Sequence, residues 1–307
     1  MAARCGRQEA LRALRNPGDG CTLPLVVAGA VAGPAAAASI AEERARAAPR
    51  APQPRAAARD APAMAGAPRG AFILFEGVDR SGKSTQAARL VEALKAQGTP
   101  AELWRFPDRK GTVTGKAIDD YLSAPAPAAA AGAAASAGAN AAPGSAAGLS
   151  DQAIHLLFSA NRWEKSAALV DALRRGVTLV VDRYAYSGAA YTSAKRTPGC
   201  GLAWCKAPDA GLPAPDVTLW MALPPEAAAA RGGFGQERYE NAAFQEQVRA
   251  AFASVRDASW VDVDASKGVD EVAAEVLREA VDAVRRCREG QPILALWDRA
   301  PLPLQGP

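Results

Sequence analysis

The run Gly77-Val78-Asp79-Arg80-Ser81-Gly82-Lys83-Ser84-Thr85 constrains the fold of this chain more than any other. It satisfies GxxxxGK[ST], and its setting is right: a short apolar run ends at Phe75 and a segment with helical spacing begins near Ser84. Gly77 and Gly82 let the backbone wrap a phosphate where a Cβ would clash. The loop amides and the helix N-terminus then present donors and partial positive charge. On this reading Gly77, Ser81, Gly82, Lys83, Ser84 and Thr85 hold nucleotide phosphates, with Lys83 bridging the β- and γ-phosphates and the Ser84 hydroxyl on Mg²⁺. Arg80, inside the loop, is placed to neutralise charge on a moving phosphoryl group; the alternative is a solvent-facing loop arginine.

The rest of the pattern fits such a loop. Short β-branched and aromatic runs occur at 71–75, 102–106, 177–181, 217–222 and 260–263. Between them Leu90, Val91 and Leu94 form one helical face. Leu156, Leu157, Ala160 and Trp163 form another, ahead of Leu169 and Leu173, and Val272, Val276, Ala280 and Val284 a third. Five buried strands alternating with helices predict an α/β fold: a five-stranded parallel sheet with helices on both faces, in one domain over residues 70–298.

Two stretches fall outside that pattern. Residues 1–69 hold ten arginines, no lysine and five acids, leaving 26 basic and 27 acidic side chains for the remainder. The basic balance therefore belongs to the leader rather than the fold, which disfavours a nucleic-acid partner. Arg4, Arg7, Arg12 and Arg15 with few acids match the start of an organelle transit peptide; the alternatives are a disordered extension with no address and a secretory signal. The compartment thus stays open between cytoplasm, mitochondrion or plastid, and nucleus. The apolar run 25–40 is short for a span and is broken by Gly29, Gly33 and Pro34, so no membrane is expected. Residues 123–148, nearly all Ala, Gly, Pro and Ser, read as a flexible surface insertion, and 299–307 as a tail. Five scattered cysteines without CxxC point to neither a disulfide framework nor zinc.

The third strand ends in Val180-Val181-Asp182-Arg183-Tyr184. An Asp there can hold the hydration shell of Mg²⁺. Arg183 after it offers a second phosphate clamp where a water-splitting ATPase often has Glu, and the absence of NKxD argues against a GTPase switch. Two phosphate-bearing ligands meeting in one cleft is the reading these residues favour.

From Phe75 to Gln86 the chain resembles thymidylate kinases of the eukaryotic type. So do Arg105-Phe106-Pro107-Asp108-Arg109, the run from His155 to Glu164, Gly176 to Ser187, Phe234 to Glu240, Val263 to Lys267 and Pro292 to Trp297. The resemblance spans nearly everything from Gly70 to Trp297 except the Ala-rich insertion. It implies a P-loop NTPase fold of the nucleoside monophosphate kinase kind, ATP with Mg²⁺ as donor, dTMP as acceptor and a homodimer. It implies that Phe158 stacks on thymine, Arg162 donates to a base oxygen, and Arg109 and Arg183 clamp the acceptor phosphate. Asp79 would accept from the sugar 3′-hydroxyl, Tyr184 would crowd C2′, and Tyr191 and Phe106 would line the pocket, with Tyr239 or Gln245 as further contacts. Asp79, Arg80, Lys83 and Arg183 are thereby the catalytic set, and Ser84 and Asp182 the metal pair. Arg231 in a glycine-rich lid, Ser266 and Lys267 would lie on the ATP side. Without the resemblance Phe158 reads as ordinary core, and His155, the only histidine, as a structural helix residue. A kinase for another monophosphate such as dUMP, or a silent nucleotide-binding module, are the rival readings.

Overall fold

The computed structural model describes residues 67–124, 148–229, 238–239 and 242–302. The leader up to residue 66, insertion residues 125–147 and most of the glycine-rich lid, Arg231 included, lie outside the described residues. Among those described, no helix is long and apolar enough to cross a membrane.

The order is β1 (Phe72–Glu76), α1 (Lys83–Ala96), β2 (Ala101–Arg105), α2 (Gly115–Ser123), α3 (Asp151–Arg174), β3 (Thr178–Asp182) and α4 (Ala185–Ala194). Then come α5 (Leu202–Lys206), β4 (Val217–Ala222), α6 (Pro225–Ala229), α7 (Ala242–Ala253), β5 (Trp260–Asp264) and α8 (Val269–Arg288). The five strands form one sheet in the order β2-β3-β1-β4-β5, and every pairing is parallel. The alternating pattern of the sequence is realised as expected.

The sheet divides two cores, and strand periodicity decides which side chain enters which. From β1, Phe72 and Leu74 join Leu179 and Val181 of β3 against α3, α4 and α7. Ile73 and Phe75 point the other way with Leu219 and Met221 of β4, under Leu90, Val91 and Leu94 of α1 and Val272, Val276, Ala280 and Val284 of α8. Each such side chain, buried fully, contributes about 1.5–3 kcal/mol against exposure. The face expected on α3 is different. Leu156 and Trp163 are exposed, while Ile154, Leu169 and Leu173 are buried. This helix is apolar on more than one side, so spacing alone could not choose the inner one. It starts on a Ser150 cap whose hydroxyl accepts from Ala153 N at 3.2 Å.

The folded body is slightly wider than expected. Arg69 pairs with Asp216 at 2.6 Å, and both side chains are nearly fully buried. Asp216 also accepts from Phe72 N at 2.8 Å and Gln291 Nε2 at 3.0 Å, tying the entry to β1 to the segment after α8. Ser123 closes α2, and residues 299–302 fold back, with Leu302 N donating to Ile293 O at 2.9 Å. Cys200, Cys205 and Cys287 are buried free thiols.

Candidate active site

The site forms at the carboxyl ends of β1 and β3, the central strands of the sheet. The loop after β1 turns at Gly77 (φ 152°) and enters α1 through Gly82 (φ 94°). A Cβ at Gly77 would stand 2.8 Å from Ser81 Oγ, so only glycine fits. Arg80 takes φ 64°, a left-handed position that costs a non-glycine residue about 1–2 kcal/mol. Lys83 folds back along the loop, donating to Val78 O at 2.7 Å and Ser81 Oγ at 3.3 Å. Burial, and then the neighbouring Arg183, pull its ammonium down to about 8.

Across from it, Asp182 ends β3. Its Oδ2 accepts from Ser84 Oγ at 2.6 Å and lies 3.2 Å from Arg105 Nε, while its Oδ1 is buried without a partner among the described residues. A hydroxyl beside a carboxylate with an orphaned oxygen suits a hard cation. Among the described residues no group of three His, Cys, Asp or Glu forms a metal cage. Mg²⁺ leans on phosphate oxygens and water and needs few protein ligands, so the Ser84–Asp182 pair suits it.

Arg183 follows at φ 67°, and its guanidinium closes a small network. Nη1 donates to Gly77 O at 3.2 Å and Ser187 Oγ at 3.1 Å, and Nη2 pairs with Asp79. Asp79 also accepts from Tyr191 OH at 3.1 Å and Gln245 Nε2 at 2.7 Å, and its own N–H donates to Gln245 Oε1 at 3.1 Å. Burial alone would raise the Asp79 pKa, but Arg183, Lys83 and these donors hold it below the usual range.

Beneath the network lies Glu76, wholly buried at the end of β1. Its carboxylate accepts from Tyr184 N at 3.0 Å, Ser187 N at 3.1 Å and Ser187 Oγ at 2.6 Å. Burial raises its pKa, opposed by Arg183 and these donors. In the sequence Glu76 lies inside the run from Phe75 to Gln86 with no role of its own. Its signal was a charged residue closing an otherwise apolar strand, which is rarely tolerated without a full set of partners.

Arg109 comes from the 108–114 loop, 3.2 Å from Asp119. Asn161, fully buried on α3, holds that loop: its Oδ1 accepts from Asp108 N at 2.8 Å, and its Nδ2 donates to Asp108 O, Thr112 Oγ1 and Thr114 Oγ1. Glu164, one turn on, accepts from Val113 N and Thr114 N. Asn161 was missed because its importance lies in backbone contacts to a segment about fifty residues away.

Two cavities meet here. A cleft of about 1050 Å³ is lined by Arg80, Gly82, Lys83, Ser84, Thr85 and Asp182 and extends past Arg105 and Lys165. A narrower, more apolar cavity is lined by Phe158, Arg162, Tyr184, Tyr191, Thr192 and Tyr239, among others. Asp79, Phe106, Pro107, Arg109 and Arg183 line both, so two guanidinium groups sit at the seam. Arg162 enters locked to Asp209, with Nε to Oδ1 at 3.0 Å and Nη2 to Oδ2 at 2.6 Å, which leaves Nη1 out of the pair. A Cβ at Gly188 would stand 3.0 Å from Nη2, so glycine there admits the guanidinium. Phe158 packs beside the cluster of Ile118, Tyr121, Leu122 and Ile154. The buried Tyr184 hydroxyl has no partner among the described residues, and burial raises its pKa.

The structure therefore brings together all the expected acceptor-side residues, the loop residues and Asp182. Gly77 and Ser81 line neither cavity, and Ser81 is buried within the loop as a partner of Lys83. Ser266 and Lys267 line neither cavity: Ser266 bonds Asp264, and Lys267 pairs with Glu275 at 2.9 Å. Arg231 lies outside the described residues.

The thymidylate kinase family model matches residues 75–138 and 140–276. A thymidylate kinase of Arabidopsis thaliana is 46% identical over 230 residues, covering 75% of this chain and 78% of its own. The Homo sapiens thymidylate kinase is 45% identical over 232 residues, covering 75% of this chain and 98% of its own. Among solved structures, thymidylate kinase from Candida albicans superposes with a TM-score of 0.56 at 37% identity, covering 71% of this chain and 94% of that one. The chain belongs to the thymidylate kinase family.

Proposed function

We propose that ATP, bound as its magnesium complex on the Gly77–Thr85 loop, passes its γ-phosphoryl group to dTMP seated in the narrower cavity. The reaction, dTMP to dTDP, is that of the family. The observation that carries the arrangement is the seam: Arg109 and Arg183 line both cavities, where an acceptor phosphate must face a donor. An oxygen of the dTMP phosphate attacks the γ-phosphorus in line, the bond to the β-phosphate oxygen breaks, and ADP leaves, with no covalent enzyme intermediate. Lys83 turns from Val78 O to the phosphates, and Arg80 meets the charge that spreads over the moving group. Arg183, fixed by Gly77 O and Ser187, orients the acceptor phosphate, and Asp79 takes the sugar hydroxyl. Mg²⁺, when held at Ser84 and Asp182, supplies charge neutralisation on the phosphate oxygens.

Coupled ADP release over a panel of nucleoside monophosphates tests this. dTMP should be the preferred acceptor and chelation of divalent cations should abolish turnover; ATP binding without ADP release in the presence of dTMP would refute it. A homodimer is part of the proposal. Leu156 and Trp163, seven residues apart on one side of α3, are exposed apolar groups that a second copy would cover. Sedimentation equilibrium reads the mass directly. The arginine-rich leader supports organelle addressing, which fusion of residues 1–66 to a fluorescent reporter would test.

A further inference from the structure

His155 is fully buried on α3, with each ring nitrogen committed. Nε2 lies 2.9 Å from the carbonyl oxygen of Cys205, and Nδ1 lies 2.8 Å from Thr192 Oγ1. A carbonyl oxygen only accepts, so Nε2 must carry a proton. Burial, and then the positive charge of Arg162, lower the ring's pKa and keep it neutral. A neutral ring protonated at Nε2 has a bare Nδ1, which only accepts. The Thr192 hydroxyl must therefore spend its one proton on His155. Thr192 lines the narrower cavity, and among the described residues no other bond engages its hydroxyl. A ligand that reaches this hydroxyl meets only its lone pairs.

We propose that His155 is a positioning residue that makes Thr192 an obligate acceptor, and so selects which edge of a pyrimidine the pocket admits. This rests on the reading of that cavity as the acceptor site. Thr192 is one helical turn beyond Gly188, against which the Arg162 guanidinium lies, so acceptor and donor line the same cavity on neighbouring turns of α4. Arg162 can only donate, and its Nη1 is the group not used by Asp209. A donor beside an acceptor complements a ring carrying C4=O next to N3–H, as thymine and uracil do. Cytosine presents the opposite pair, an amino donor and a bare N3, and would set donor against donor and acceptor against acceptor. A site built to hydrogen-bond one pattern rejects its inverse strongly, because buried polar groups are left unpaired. The relay reads the imide and ignores C5, so discrimination between dTMP and dUMP has to come from elsewhere in the pocket.

The chain has a single histidine, which makes the tautomer directly observable. In full-length protein labelled with ¹⁵N at the imidazole, one pair of ring resonances should report Nε2–H with unprotonated Nδ1 near pH 7, with and without dTMP. An Nδ1–H tautomer or an imidazolium would overturn the proposal. Kinetics give the second arm. Thr192→Val should raise KM for dTMP about tenfold with kcat little changed, and Thr192→Ser should restore it. His155→Phe frees the Thr192 proton to rotate inward, so the preference for dTMP over dCMP should fall at least about tenfold while the ratio of dTMP to dUMP holds. Unchanged dTMP-to-dCMP preference in folded His155→Phe and Thr192→Val protein would sink the idea. Absence of dTMP turnover in the unaltered enzyme would instead refute the acceptor site, and leaves the NMR result to be read on its own.

Discussion

Ser187 donates a 2.6 Å hydrogen bond to Glu76, joining the buried end of β1 to the first turn of α4. Ser187 Oγ also receives Arg183 Nη1 at 3.1 Å, so the carboxylate acts on the guanidinium through one hydroxyl. Glu76→Gln would turn an amide NH₂ either toward the Tyr184 and Ser187 backbone donors or toward the Ser187 hydroxyl, each of which now finds an acceptor. The expected result is a fall in kcat/KM for dTMP on the order of 10²-fold, since a displaced clamp costs that much. A stability loss of about 1–3 kcal/mol should accompany it. Steady-state kinetics beside urea denaturation would separate the two; loss of stability alone would make Glu76 simple scaffolding.

Arg80 lines the donor cleft and sits outside the narrower cavity. Arg80→Ala should lower kcat on the order of 10³-fold. Equilibrium binding of dTMP should change by no more than about twofold, because the side chain meets charge that develops only during transfer. Single-turnover rates paired with calorimetric dTMP binding check both halves. Unchanged turnover would remove Arg80 from the mechanism.

The Arg69–Asp216 pair predicts where the chain tolerates shortening. Removing residues 1–66 should leave stability and turnover intact, whereas removal through Arg69 strands the Asp216 carboxylate in the interior. Stranding a buried charge costs about 3–5 kcal/mol. Arg69→Ala in the full chain should match the longer truncation in denaturant midpoint. Equal stability of the two truncations would contradict this account.

Stability should also carry the signature of the single imidazole. Because burial and Arg162 depress the His155 pKa below 6.5, the unfolded chain takes up a proton that the folded one refuses. The contribution of the neutral ring is complete above pH 6.5 and shrinks as pH falls below it, by up to about 1.4 kcal/mol per pH unit until the folded ring titrates. Urea midpoints at pH 7.5 and 5.5 should differ more in the unaltered chain than in His155→Phe. Equal pH dependence would argue against a depressed pKa.

Most of the phosphate loop and the sheet was legible in the sequence, because both rest on local rules. GxxxxGK[ST] ties function to a few adjacent residues, and apolar runs of strand length announce a buried parallel sheet. The acceptor side was legible only through resemblance: Phe158 and Arg162 follow no pattern that separates them from core. What stayed hidden were residues whose roles are defined by distant partners. Asn161 grips a loop about fifty positions earlier, Asp209 locks Arg162, and His155 bonds Thr192 on the next helix. On α3 the spacing misdirected the expectation outright, because Leu156 and Trp163 match a core stripe and yet face outward.

The partition made by the sheet has an evolutionary consequence. Side chains that would recognise the pyrimidine belong to α3, α4 and the turn after β3, whereas α1 and α8 fill the opposite layer. A lineage under pressure to accept a different base could rewrite the first layer by single substitutions and leave the second, which seats the helix behind the triphosphate loop, untouched.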